Sequence, residues 1–228
     1  MRKVLILFAM IAICPLCASA LEYNFKFNAG LGSYGMGGLK DVNTSTLSEL
    51  HFPAKLVDDF PAFLNVSGEG AITLKNGTRI GLVLGLASTG SRIAYSDYSG
   101  SYTYDIKATC VNYGIRGEMT VFRLTDALGL RAAIGAGTLF TDAKVKETLK
   151  LGNESDSESY TFESISLYVQ PEVKLSYSFG PNLEAGMYCA YLIESGGKYE
   201  YSGQETTIKS DWNGMRFRAC VTLILNRK

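Results

Sequence analysis

From Ile165 to Phe179 the side chains alternate with a period of two. Ile165, Leu167, Val169, Val173, Leu175, Tyr177 and Phe179 share one parity, while Ser166, Tyr168, Gln170, Glu172, Lys174, Ser176 and Ser178 share the other. Only an extended strand sorts residues this way, giving it one apolar face and one polar, charged face. The same alternation returns along the chain, and eight strands can be drawn: Tyr23–Ser33, Phe63–Lys75, Thr78–Tyr95, Tyr102–Phe122, Leu128–Lys150, Ile165–Phe179, Leu183–Tyr201 and Ile208–Leu225. Each is at least as long as the roughly 9–11 residues that a tilted strand needs to cross a bilayer.

The connections between these strands alternate in length. Asn76-Gly77, Leu124-Thr125-Asp126 and Gly180-Pro181-Asn182 mark tight turns, the first being a strong hairpin signal. Between them lie longer polar connections: Tyr34 to Pro61, Ser96 to Ser101, the acidic, serine-rich Gly152 to Ser159, and the link before Ile208. Ahead of the first strand, residues 1–20 read as a cleaved signal peptide. Arg2 and Lys3 open it, Val4 to Ala18 form its apolar core, and Ala18-Ser19-Ala20 its cleavage site. Residues 21–228 then form one domain. Lysine plus arginine equals aspartate plus glutamate at 22 each, and loss of Arg2 and Lys3 leaves the mature chain slightly acidic, which argues against a nucleic-acid partner. Cys110, Cys189 and Cys220 lack the spacing of a disulfide framework or a zinc site and read as small buried or lipid-facing residues.

Alternation alone does not say which face looks outward, because a soluble lipocalin-like carrier shares the period with its apolar face inside. The polar face decides for lipid outside. It is crowded with Gly81, Gly85, Gly114, Gly135, Gly137 and Gly186, which suit a narrow lumen, and it carries both charge signs. An Arg or Lys turned to hydrocarbon at the midplane would cost roughly 2–4 kcal/mol. Lys26, Glu69, Arg116, Glu118, Arg131, Glu172, Lys174, Glu184, Arg216 and Arg218 are therefore expected to point inward and pair as a structural charge network. Tyr23, Phe122, Tyr177, Phe179 and Phe217 are candidates for interfacial aromatic belts.

The signal peptide, eight alternating strands, tight turns and inward charges resemble small bacterial outer-membrane barrels of the OmpA/OmpX type. The resemblance is one of pattern over the mature chain. It implies an all-β fold, an eight-stranded antiparallel up-and-down transmembrane β-barrel in the bacterial outer membrane. Such barrels often finish on an aromatic residue, whereas this sequence reads Leu225-Asn226-Arg227-Lys228.

An eight-stranded barrel is just wide enough to be filled by its own side chains. The expected function is accordingly structural, adhesive or surface contact, with a plugged lumen and no catalysis. The alternatives are a narrow porin-like channel, a lipid-modifying enzyme and the secreted lipocalin-like carrier. The only histidine, His51, sits near Ser48, Glu49, Asp58 and Asp59, but no spacing singles out a nucleophile. No catalytic, cofactor-binding or metal-ligating residues are expected. Partners are the membrane lipids and any surface ligand or protein reached through the external loops. In the first loop, Thr46 to Leu56 could form a short helix broken by Pro53, with Phe52, Phe60 and Phe63 packing on the barrel rim.

Overall fold

The computed structural model describes residues 22–152 and 154–226, so the expected signal peptide lies outside the described residues. The strands are β1 Glu22–Gly32, β2 Lys55–Asp59, β3 Phe63–Thr73, β4 Arg79–Ser96, β5 Gly100–Arg123, β6 Leu128–Leu151, β7 Glu154–Ser178, β8 Leu183–Ser195, β9 Lys198–Tyr201, β10 Gln204–Lys209 and β11 Gly214–Asn226. One helix, α1, covers Gly37–Glu49. Eight strands close a ring in the order β1, β3, β4, β5, β6, β7, β8, β11 and back to β1, every neighbouring pair antiparallel. This is the eight-stranded barrel that the alternation implies. Closure leaves the ring without an open edge, as a strand structure in hydrocarbon requires.

Local chemistry accounts for the tight end of the barrel. At the β3–β4 turn Gly77 takes a φ of 80°, a left-handed conformation natural to glycine, and the Asn76 side chain accepts a hydrogen bond from the Thr78 amide at 3.1 Å. At the β5–β6 end a bulge between Thr120 and Phe122 lets the consecutive residues Val121 and Phe122 both face outward. Pro171, which has no amide proton, interrupts the β7–β8 ladder between Val169 and Glu172.

Strand register shows where the bilayer ends. Leu86, Val111, Phe140 and Ile165 lie directly opposite one another across β4, β5, β6 and β7, on the outer face. One row further from the tight turns, the outward residues are Ser88, Thr109, Asp142 and Glu163, followed by Gly90, Lys107, Lys144 and Thr161. Below the switch, Leu84, Ile115, Ile134, Leu167 and Phe217 stand exposed on the outside. A contiguous exposed apolar band of this kind is a surface for lipid.

Above that boundary the pattern inverts. Ile106, Ala108, Ala143, Val145, Tyr199 and Trp212 now point inward and, with Leu139 and Leu192 just beneath them, form a buried apolar core with Tyr34, Met36, Leu39 and Phe60. The barrel wall thus continues outside the membrane as a water-exposed structure with its own core.

Several sequence expectations are corrected here. Gly152 to Ser159 is not a loop: β6 and β7 continue almost to Gly152, building a tall hairpin. The seventh strand divides at Gly196-Gly197 into β8 and β9, and Ile208 lies in β10, separated from β11 by residues 210–213. The helix is Gly37–Glu49 rather than Thr46–Leu56. Met36, Leu39, Val42 and Asn43, three to four residues apart, turn one side of it onto the core, whereas Pro53 keeps the downstream segment non-helical. Phe60 enters that core, Phe52 packs on Tyr95 and Tyr102 at 5.2 and 5.3 Å, and Phe63 faces outward.

Candidate functional site

The lumen is filled in two storeys. In the lower one, next to the tight turns, charged side chains converge from all eight strands of the ring. Glu118 of β5 lies 2.7 Å from Arg116, 3.0 Å from Arg131, 3.2 Å from Lys26 and 3.4 Å from Arg79. Glu184 of β8 lies 2.6 Å from Lys174, 2.8 Å from Arg131 and 3.1 Å from Arg79. Glu69 takes Lys26 at 2.7 Å and Arg116 at 3.0 Å, and Glu172 takes Arg116 at 2.7 Å and Arg218 at 3.5 Å. Small residues make this convergence possible. A Cβ at Gly137 would fall 2.1 Å from the Tyr113 carbonyl oxygen, and one at Gly186 would fall 2.9 Å from the Lys174 side chain.

Lys26, Glu69, Arg116, Glu118, Arg131, Glu172, Lys174, Glu184 and Arg218 therefore meet in one ion-paired layer. Arg79, absent from the sequence-based set, joins them. It stands two residues past Asn76-Gly77 on the parity of Gly81 and Gly85, which is the signal that places it on the lumenal face. Arg216 is buried in the lumen but stands apart from the carboxylates, donating from Nη1 to the side-chain amide oxygen Oε1 of Gln170 at 3.2 Å. The Arg218 guanidinium lies over the Tyr188 ring at 4.4 Å and donates to Asn65 and Ser67.

The upper storey is the apolar core with α1 set across the mouth. Gly37 N–H donates to Asp211 Oδ2 at 3.1 Å, Met36 N–H to the Asp211 carbonyl at 2.7 Å, and Gly35 N–H to the Asn213 carbonyl at 2.8 Å. Tyr34 meets Trp212 edge to face with centroids 4.9 Å apart. A Cβ at Gly38 would fall 2.4 Å from the Lys209 carbonyl oxygen, so the helix lies against β10 backbone to backbone. Outside this contact an open groove of ≈ 930 Å³ is lined by Asp41, Glu49, Glu194, Lys198, Lys209 and Asp211 among others. Glu194 and Asp211 are committed to backbone amides of Trp212 and Gly37, which leaves the groove a polar surface without a converging ligand set.

His51 is exposed beyond α1, and Asp59, one of its sequence neighbours, pairs instead with Lys40 at 3.9 Å. Among the described residues no group of three His, Cys, Asp or Glu side chains is arranged to hold a metal ion. The thiols of Cys110, Cys189 and Cys220 are free, two of them buried. Tyr177 and Phe179 form an exposed aromatic pair, centroids 4.9 Å apart, at the tight-turn end with Phe122, while Phe217 lies toward the external margin of the belt.

An outward apolar belt around a charged lumen defines an outer-membrane β-barrel, in contact with membrane lipid. No protein-family model matches the sequence, and no curated protein matches it. Solved structures similar in fold include Ail of Yersinia pestis in complex with the heparin analogue sucrose octasulfate, 14% identical over 90% of this chain and 98% of that one, with a TM-score of 0.36. Neisserial surface protein A is 13% identical over 89% and 96%, TM-score 0.40. OprG of Pseudomonas aeruginosa is 11% identical over 92% and 98%, TM-score 0.46. The transmembrane assignment rests on the belt and the lumen, not on these likenesses.

Proposed function

We propose that this barrel is a sealed membrane anchor for a folded external head, with a structural, adhesive or surface-contact role and no catalysis. The observation that carries the reading is the filling of the interior at two heights. An ion-paired layer closes the lower lumen, and the apolar core beneath α1 closes the upper. Solute passage would have to break both. The tall β4–β7 wall, α1 and the β9–β10 hairpin place much of the ordered chain outside the lipid, where contact surfaces are useful. In planar bilayers the purified protein is expected to show no discrete conductance. Steps that persist across independent preparations would replace this reading with a narrow channel. Loss of a lipid-modifying activity in His51→Ala would replace it with an enzyme.

A further inference from the structure

Among the described residues the lumen holds seven cationic side chains, Lys26, Arg79, Arg116, Arg131, Lys174, Arg216 and Arg218, against four carboxylates in the lower storey, Glu69, Glu118, Glu172 and Glu184, and a fifth above them, Glu194, which is taken up by Ser166 and the Trp212 amide. Each carboxylate of the lower storey is already shared by at least two cations. The surplus of positive charge is concentrated at one place. Arg216 is 1% exposed, has no carboxylate within ion-pair distance, and makes a single hydrogen bond, to a neutral amide oxygen. Its Nε and Nη2 have no partner, and neither does Nε of Arg218 on the same face of β11. In the apolar core above, Trp212 Nε1 is also a buried donor without an acceptor. A buried guanidinium without a counter-charge is among the most unfavourable arrangements in a protein interior. Water supplies dipoles to such a site but no compensating charge.

We propose that the lumen binds one small inorganic anion of the halide class at Arg216, held by its Nε–H and Nη2–H donors and by the field of Arg218. The surroundings favour a small occupant: Tyr34, Cys110 and Tyr168, whose side chains act electrostatically on Arg216, are all buried. Position follows from the fold, because Arg216 sits where the ion-paired storey gives way to the apolar one capped by Tyr34 and Trp212. The anion would then be an integral counter-ion of the sealed lumen, independent of what the external head contacts.

Bromide soaked into crystals of the wild-type protein gives the direct test, since its anomalous signal separates it from water. A bromide peak within about 3.5 Å of the Arg216 guanidinium is expected. In detergent, the melting temperature should be higher in sodium chloride than in sodium gluconate at equal ionic strength, by on the order of 3 °C. Arg216→Met should abolish that difference. If it does not fold, the bromide map of the wild type decides alone. Only water at Arg216, or melting that is indifferent to halide, overturns the proposal.

Discussion

Glu118 shows how much the lower lumen asks of one residue. Four cations lie within 3.4 Å of it, and Lys174 stands at 3.9 Å. Glu118→Gln keeps the shape but removes the charge on which those cations depend. A loss of roughly 3–5 kcal/mol is expected, read as a lower urea midpoint for unfolding from lipid vesicles. An exposed carboxylate such as Glu154 should tolerate the same change to within about 0.5 kcal/mol. At the β4–β5 tip, hydrogen bonds from the Ser99 hydroxyl and amide, with further donors from Tyr95 and Gly100, hold the Asp97 carboxyl down at about 2. Because the folded value is depressed below the ordinary 3.8, the tip's stabilisation is complete above that value and fades as pH falls through about 2. Carbon-detected NMR titration should place the Asp97 midpoint well below those of other exposed carboxylates, and Ser99→Ala should raise it. Most of the lower lumen was legible from parity and charge. Arg79 carries the same signal through its parity with Gly81 and Gly85, but its place beside the Asn76-Gly77 turn sets it apart from the charged stretches of the other strands. Arg216 shares the parity of Arg218, so no sequence pattern separates an unpaired cation from a paired one.

At the scale of elements, β6 divides into two environments with opposite rules. Ile134→Arg places a charge near the middle of the lipid belt and should cost roughly 2–4 kcal/mol. Lys144→Gln, beyond the boundary on the same strand, should stay within about 0.5 kcal/mol. Equal costs in vesicle unfolding would mean the boundary between Phe140 and Asp142 is misplaced. The strands were legible because a period of two survives any change of surroundings. The inversion was harder to see for the same reason: when the outside changes from lipid to water, the period persists and only the parity of the apolar residues switches. On β6 it passes from Leu130, Ile134 and Phe140 to Ala143 and Val145, and on β7 from Ile165 and Leu167 to Tyr160 and Phe162. The sequence places the helix of this loop too far downstream because the buried stripe of α1 is short and its other side carries polar residues such as Asp41, Thr44 and Ser48. Asp211→Ala removes the acceptor at the start of that helix. It should speed amide exchange across residues 37–49 while leaving the ring strands protected. Unchanged exchange in α1 would show that core contacts alone hold the helix.

For the whole molecule, the two storeys differ in what holds them shut, so they can be opened separately. The upper seal depends on burial of apolar side chains beneath α1, and the lower on charge pairing among strands that the closed ring fixes in place. Replacing residues 37–49 with a short Gly/Ser linker uncovers the core, but the ion-paired layer beneath it is built from β1, β3, β4, β5, β6, β7, β8 and β11 and does not involve the helix. That variant should remain silent in planar bilayers. Paired neutralisation by Arg116→Ala with Glu118→Ala thins the lower layer without deleting only one sign of charge, and α1 should keep this variant silent too. Discrete steps are expected only when both changes are combined, provided circular dichroism and heat-modifiable gel mobility show that the barrel has closed. Conductance from helix removal alone would mean that the charges line a water path, and the sealed-anchor reading would give way to a plugged channel.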